Sequence, residues 1–379
     1  MGLYKMMNQS KADFLDFEAQ CQSLRGNCSP KISQTKPIYI FGAGGFGKSV
    51  AKALRENNFE IAGFIETSPK QKMIDGIPVF SWDDLGAVDL SAQLLMGIYN
   101  RDIPFDALVN IANSAGFKDI LMPWDVYAQF GHELGWRYWL SSKEIILDHT
   151  DDIKKTFELL SDEESKKTLL GICAFRLGLN NGYSSFRHEE EQYFNPLTLN
   201  RFANSSICSY VDCGAYNGDT FIEASNKLPL THAYLFEPDP ANFRQLVEMV
   251  KKSKFTPICL PLAVSDRYQI LTFSGAGEGG AISLDGSVHI AATSLDELMP
   301  NAIVEFIKFD VEGAEVPAVM GATQLIKRSR PVLVLSLYHR PKDLWEIPAL
   351  IASYCPGYKF YIRQHFNNSF DSVLYAIPQ

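Results

Sequence analysis

The chain has 379 residues, 46% of them hydrophobic, which is enough for two domains with sizeable cores. Its 35 Lys and Arg face 44 Asp and Glu, and a net charge of −9 argues against a general nucleic-acid binder. No apolar run is long enough to span a bilayer and the polar start has no signal-type core, so no transmembrane segment is expected.

Seven cysteines are scattered without a pairing rhythm, and Cys21 and Cys28 match no zinc spacing. Cys208, Cys213, Cys259 and Cys355 lie in or beside apolar segments and read as buried thiols. This usage points to a reducing, cytoplasmic compartment.

Residues 1–35 form a mixed, polar arm, with Phe14, Phe17 and Leu24 on one predicted helix before a turn at GNCSPK. Residues 36–125 predict a small Rossmann-like lobe. Strand Ile38–Phe41 runs into the GxGxxG arrangement Gly42, Gly44, Gly47, then a helix carrying Val50, Ala51 and Leu54. Glu66 ends the next strand, 19 residues after Gly47. Alone, this unit suggests a dinucleotide site. Lys48 is no Walker lysine, because the glycine spacing before it is wrong. IPVFSWDDL, LLMGIYN, a helix from Pro104 to Ala115 and KDILMP complete four or five short strands.

This segment resembles the N-terminal domain of bacterial sugar acyltransferases and of some sugar methyltransferases. The resemblance implies that Gly42, Gly44, Gly47 and Glu66 hold a nucleotide-sugar or its phosphates, where glycine N–H groups and a helix N-terminus favour an anion. NAD and a purely structural lobe remain the alternatives.

Residues 126–207 predict a mostly helical bridge. Asp151–Gly178 has helical periodicity, and Ser161 with Glu164 reads as a capping box. In the following run, Tyr183 to Pro196, the clustered acids read as a solvated face. Arg187, His188 and Tyr193 either close over a cleft or belong to a linker.

Residues 208–379 predict a larger, doubly wound α/β domain. Strands are expected at 210–213, 233–236, 256–260, 270–273, 306–310, 332–337, 359–363 and 372–376, and helices at 219–227, 240–251, 294–299, 315–327 and 343–353. The SYVDCGAYNGDT stretch puts Asp212 in a strand end, where a carboxylate is expensive without partners. Gly214 and Gly218 bracket a tight bend into a helix, the geometry of a ligand crossing the end of a parallel strand. Glu237 ends the second strand, where a carboxylate takes ribose hydroxyls. Leu260–Asp266 enters a loop over the ligand crevice. Lys308, Asp310 and Glu312 alternate, so all three face one side near a core strand's end, where they pair or serve a site. Glu315 follows Gly313 and begins a helix. His339 at the next strand's end is the one cheap neutral-pH base of the region.

VDCGAYNGDT, FEPDPANF, LAVSD, LDEL before FIKFDVEGAE and the His339 strand end together resemble the FkbM family of S-adenosylmethionine-dependent methyltransferases, over roughly residues 210–377. Many of its members methylate hydroxyls of sugars or natural products, such as those of surface polysaccharides. The resemblance implies that Asp212, Gly214 and Tyr216 approach the methionine moiety, with Gly218 and Thr220 shaping the loop. It places the ribose on Glu237, with Pro238 and Asp239 on the rim. Ala263 and Val264 lie where adenine would rest, with Ser265 and Asp266 for its amino group. Asp310 falls beside the transferred methyl, and Lys308, Glu312 and His339 surround the acceptor.

An acceptor hydroxyl needs a base; His339 is the first choice and Asp310 or Glu312 the alternative. Asp310 and Glu312 are also the oxygen donors for a divalent metal, though no third ligand is identifiable. The rival readings are an NAD-dependent sugar-nucleotide oxidoreductase or epimerase, which lacks a YxxxK-type pair near the first lobe, and a non-catalytic sugar-nucleotide-binding protein. The acceptor's identity and the oligomeric state stay open.

Overall fold

A computed structural model describes residues 2–26, 30–180, 182, 186–274, 281–282 and 288–379, with the side chains of residues 2–11, 273–274 and 281–282 left aside. Asn27–Ser29 of the expected turn and Tyr183–Ser185 lie outside the described residues. The chain packs as two units. One contains residues 1–150, 170–187 and 366–370; the other contains 151–169, 188–365 and 371–379. The stretch 126–207, expected as a bridge, is therefore shared between both.

In the first unit, helix Gly2–Leu24 buries Phe14, Phe17 and Cys21. The sheet is built from β1 (Ile38–Phe41), β2 (Gly63–Glu66), β3 (Met73–Ile74), β4 (Ile77–Ser81), β5 (Gln93–Met96) and β6 (Asp119–Leu121), in the order β3-β4-β2-β1-β5-β6. All neighbours are parallel except the β3–β4 hairpin. β1 and β5 are buried along their whole length, which is why both read as unbroken apolar runs.

The second unit holds a seven-stranded sheet and a small four-stranded one. Its strands are β7 (Cys208–Cys213), β8 (Leu230–Phe236), β9 (Ile258–Leu260), β10 (Ala263–Val264), β11 (Gln269–Ser274), β12 (Ala281–Ile282), β13 (Val288–Thr293), β14 (Phe306–Phe309), β15 (Val332–Ser336), β16 (Tyr358–Gln364) and β17 (Ser372–Pro378). The large sheet runs β16-β17-β15-β14-β7-β8-β9, with only β17 antiparallel to its neighbours. Strand order reverses between β7 and β14, so the switch point of the doubly wound sheet lies between the Gly214 turn and Asp310. Tyr210, Phe221, Phe306 and Val334 lie in the core beneath that point.

Several local expectations change. The 315–327 helix is two, Glu315–Met320 and Thr323–Ser329. A Cβ on the intervening Gly321 would lie 2.0 Å from the Ser265 carbonyl oxygen, so the chain bends there. The Asp296 carboxylate then accepts from Gln324 N–H and Leu325 N–H, restarting the helix. Asp162, not Ser161, caps helix Glu163–Arg176 by accepting from Ser165 N–H, while Ser161 Oγ accepts from Phe360 N–H in β16. Ala263 and Val264, expected in a loop, pair as a short strand with β13. β14 ends at Phe309, so Asp310 and Glu312 stand beyond it. Cys259 is half-buried, whereas Cys208, Cys213 and Cys355 are buried.

Candidate active site

The second unit gathers its unusual polar groups at the C-terminal edge of β7, β8, β14 and β15. Asp212 and Lys308 are register partners on β7 and β14. Asp212 is wholly buried and Lys308 is 2% exposed. Lys308 Nζ donates to Asp212 Oδ1 and to the Gly214 carbonyl, each at 2.9 Å, and lies over the Tyr193 ring. Tyr210 Oη donates to the other Asp212 oxygen at 2.9 Å. Burial pushes the Asp212 carboxyl up, and Lys308 opposes it. Lys308 is itself held above the usual lysine range: burial works against this, but Asp212 and Asp310 outweigh it. The pair thus sits behind the turn and fixes it through the Gly214 carbonyl. Neither Asp212 nor Lys308 has the exposure expected of a residue touching substrate.

Gly214 has φ +86°, and a Cβ there would lie 1.9 Å from the Asp310 carbonyl oxygen. Asp310 N–H donates to the Cys213 carbonyl at 2.9 Å. The glycine turn and the carboxylates after β14 therefore share one edge of the sheet. Tyr216 (φ 47°) and Glu312 (φ 52°) both adopt the left-handed conformation, a strain of about 1–3 kcal/mol each that concentrates at functional positions.

Glu237 is 5% exposed. One oxygen accepts from Tyr216 N–H and the other from Asp239 N–H, both at 2.8 Å. Burial pushes its carboxyl up to about 7, against those hydrogen bonds. The Asn242 side chain also hydrogen-bonds this carboxylate, and the remaining acceptor capacity is what a vicinal diol would use. Asp239, expected on the rim, caps helix Pro240–Val250 through Ala241 N–H and Asn242 N–H. Thr220 N–H bonds the Asp219 carboxylate at the start of helix Asp219–Lys227. Beside β10, Gln269 Nε2 donates to Ser265 Oγ and Asp266 Oδ1, tying those two positions together.

Around β14 and β15, Asp310 accepts from Tyr193 Oη at 3.0 Å and from Ser336 Oγ at 2.7 Å. Lys308 and His339 hold its carboxyl below the usual range against the opposing effect of burial. His339 is fully buried. Its Nδ1 lies 2.7 Å from Glu315 Oε1, and its Nε2 lies 3.5 Å from Asp310 and 3.6 Å from Glu312. Burial alone would lower its pKa, but these carboxylates, Glu315 first, raise it well above the usual histidine range. These carboxylates therefore favour the charged imidazole at the position where a neutral base was expected. Glu312 keeps 27% side-chain exposure, and burial among Asp310, Glu315 and Asp371 pushes it up to about 8, with His339 opposing.

Asp310 and Glu312 are not the donor pair that gathers with His339 in metal-like geometry. Among the described residues, that grouping is Asp310, Glu315 and His339, with donor atoms within 4.8 Å of one another. Glu315 Oε1 already accepts from Val311 N–H as well as His339, and Oε2 accepts from Gly313 N–H. A cation would have to compete with these bonds at a site where Glu315 and His339 are buried and only Asp310 is partly exposed, so the donors fit an ion-pair network and no metal step is derived.

Of the residues expected to close over a cleft, Tyr193 joins the site. His188 instead pairs with Glu164 at 2.9 Å and bonds β16, while Arg187 bonds Asn367 in the first unit. Glu315 was legible only as a helix-start acid; the Gly313 turn is the signal that brings it back onto His339. Tyr210, two residues before Asp212 on the same strand face, could have been read from the period-2 pattern. Ser336, Asn242 and Gln269 carry no sequence signal of comparable strength. A separate cleft of about 530 Å³, lined by Asn200, Arg201, Glu305 and Arg330 among others, opens at the opposite, N-terminal edge of these strands, far from the carboxylate cluster.

In the first unit, Gly42 (φ +95°) turns the chain after β1, and Ala43 N–H donates to Glu66 Oε1 at 3.0 Å. This repeats the Tyr216–Glu237 bond of the second unit in kind. Cβ atoms on Gly44 or Gly45 would meet nothing within 4 Å, whereas one on Gly47 would lie 2.0 Å from the Gly42 carbonyl oxygen. The turn is thus open on one side and closely packed on the other, as a ligand-facing glycine loop requires.

Residues 212–368 match the methyltransferase FkbM domain, and residues 37–95 match the PglD N-terminal domain. No curated protein matches the chain. Among solved structures, a methyltransferase FkbM from Methylobacillus flagellatus KT is 20% identical over 97% of this chain and 99% of its own, with a TM-score of 0.74. At that identity the likeness speaks for the fold. An rRNA methylase from Streptococcus thermophilus is 12% identical over 48% of this chain and 90% of its own (TM-score 0.33). A precorrin-6y C5,15-methyltransferase from Geobacter metallireducens GS-15 is 15% identical over 48% and 84% (TM-score 0.31).

Proposed function

We infer that this chain, which carries an FkbM-family methyltransferase domain over residues 212–368 behind a PglD-type N-terminal domain over residues 37–95, moves the methyl group of S-adenosylmethionine to a hydroxyl of a sugar or nucleotide-sugar. The observation that carries the reading is the apposition of the Gly214 turn and Asp310 across the switch point, with Glu237 on the neighbouring strand end. When bound, S-adenosylmethionine supplies an electrophilic methyl on a sulfonium.

The chain's own residues do the rest. Glu237 offers its remaining acceptor capacity to the ribose hydroxyls. Gly214 leaves the turn bare of side chain, and the Asp212–Lys308 pair holds its carbonyl in place. Tyr193 and Ser336 fix Asp310 at the edge where the methyl and acceptor oxygen must approach to about 3–3.5 Å. The acids there attract a cationic sulfonium and would repel an anionic reactive group, which suits a neutral hydroxyl. The first unit's open glycine turn with Glu66 is assigned to a nucleotide-sugar. The six described cysteines are all free, which suits a cytoplasmic enzyme. Among the described residues no helix is long and apolar enough to cross a membrane.

Calorimetric titration of the purified chain with S-adenosylmethionine, NAD and a uridine diphosphate sugar tests the reading. S-adenosylmethionine is expected to bind saturably and to lose about 10- to 100-fold in affinity in Glu237→Ala, from one lost charged hydrogen-bonding group. Glu66→Ala should affect the nucleotide-sugar alone. NAD binding with no S-adenosylmethionine binding would replace the methyltransferase reading by an oxidoreductase one.

A further inference from the structure

On the nucleotide-sugar reading of the first unit, on which this inference rests, the Gly42–Gly47 turn must accept more than one negative charge from a diphosphate. Glu66, bonded to Ala43 N–H beside the turn, adds another. The partial positive charge at the start of helix Gly45–Glu56 offsets only part of that total. A cation is needed within reach of the turn.

The strand order of the first unit reverses between β1 and β5, so its ligand crevice lies over the C-terminal ends of those two strands. The ends are pressed together: a Cβ on Gly97, directly after β5, would lie 2.8 Å from the Gly42 carbonyl oxygen. Just beyond, the Tyr99 ring packs on the Phe46 ring of helix Gly45–Glu56 with centroids 5.4 Å apart. Tyr99 Oη donates to the Arg137 carbonyl at 3.0 Å. Arg137 Nη2 in turn donates to Ser49 Oγ at 3.1 Å, and Ser49 Oγ donates to the Gly45 carbonyl in the first turn of that helix. Arg137 is thereby tied by its backbone and by its guanidinium to the two elements that frame the crevice.

The loop that delivers it is strained. Gly135 (φ +66°) and Tyr138 (φ +50°) flank Arg137 in the left-handed region, and Tyr127 Oη donates to the Gly135 carbonyl at 3.0 Å. Left-handed backbone at a tyrosine persists only where its surroundings enforce it, and it gathers at ligand clamps. Arg137 is half-buried, and its Nη1 donates to the Trp136 carbonyl at 2.9 Å. Among the described residues its guanidinium pairs with no carboxylate, so the remaining N–H donors keep the planar fork that matches a phosphate. Arg137 also lies outside residues 37–95, the stretch that matches the PglD N-terminal domain.

We propose that Arg137 binds the diphosphate of the nucleotide-sugar at the Gly42–Gly47 turn and makes the first unit select a nucleoside diphosphate over an uncharged sugar. Gly44 and Gly45, where a Cβ would meet nothing within 4 Å, let the phosphates approach the turn, and Glu66 is left to hydroxyls.

Calorimetric titration of the full chain with uridine, thymidine and guanosine diphosphates tests the assignment. The best-bound diphosphate should lose about 10- to 100-fold in affinity in Arg137→Gln, the loss expected for a charged, forked contact. Arg137→Lys keeps the charge without the fork and should fall between that variant and the unaltered chain. Affinity should drop as salt is raised, and drop less steeply in Arg137→Gln, because one charge pair has gone. A residue that only shaped its loop would change the affinity and leave the salt dependence as it was.

Binding by Arg137→Gln within about twofold of the unaltered chain would overturn the proposal, as would a loss of affinity with an unchanged salt dependence. If thermal melting shows that Arg137→Gln does not fold, Arg137→Lys decides, and affinity there equal to the unaltered chain's overturns the proposal. If the unaltered chain binds none of the three diphosphates, the nucleotide-sugar reading fails instead, and the first titration alone tells the two failures apart.

Discussion

The Asp212–Lys308 pair gives the sharpest energetic prediction. Both side chains are buried, and Lys308 donates two bonds of 2.9 Å, one to Asp212 and one to the Gly214 carbonyl. Lys308→Met leaves a buried carboxylate with Tyr210 as its remaining partner, which should cost about 3–5 kcal/mol. Asp212→Asn keeps an acceptor for Tyr210 but removes the counter-charge, and Asp310 at 3.9 Å compensates in part, so about 2–3 kcal/mol is expected. The double variant carries no unpaired charge and should cost about 2–3 kcal/mol rather than the sum, a coupling of roughly 4 kcal/mol. Urea unfolding followed by ¹⁹F NMR of fluorotryptophan-labelled protein isolates the right transition. Of the five tryptophans, Trp345 alone lies in the second unit. S-adenosylmethionine binding should not return in the double variant, because the Gly214 carbonyl has lost its anchor. Costs that add to within about 0.5 kcal/mol would show that the two residues do not act as a pair, and the account of the turn would fall with it.

Gly214→Ala should destabilise the second unit by about 2–5 kcal/mol, combining left-handed strain with a clash against the Asp310 carbonyl. Gly86→Ala, whose Cβ meets nothing within 4 Å, should change stability by no more than about 0.5 kcal/mol by the same denaturation assay. Ligand-free protein should lose stability as pH rises from 5 to 8. Glu237, Glu312 and Asp343 have folded-state values raised to about 7, 8 and 8, so in that window the folded chain holds protons that the unfolded chain has released. His339 acts in the same direction: its contribution is full below its ordinary pKa and is lost as pH rises through the raised one. Each group contributes a slope of up to about 1.4 kcal/mol per pH unit, Glu312→Gln should flatten the melting-temperature profile, and a Tm that climbs between pH 5 and 8 would contradict the burial argument.

The α/β alternation, both glycine turns and both acids that end second strands were legible because each follows from local rules: period-2 apolar runs, glycine at φ > 0 and a fixed one-helix-one-strand spacing. Expectations erred where tertiary neighbours decide. Gly321 looks like an ordinary helix residue until the Ser265 carbonyl is known to press against it. Lys308 looked like a substrate-side cation, but its register partner on β7 is Asp212, and register across non-consecutive strands is not a local property. His339 looked like an unencumbered base because the acids that surround it are supplied by a turn and helix start more than twenty residues earlier in the chain. The division into units was hidden for a similar reason: nothing in the composition of residues 366–370 sets them apart from the strands they join.

That short connection between β16 and β17 bears on how the polypeptide matures. Residues 366–370 pack with the first unit, where Asn368 accepts from Phe105 N–H and donates to the carbonyls of Asn100 and Ile103. A nascent chain emerging from the ribosome therefore leaves its leading lobe unfinished until residue 370 has been synthesised, and no single proteolytic cut or gene truncation yields either lobe whole.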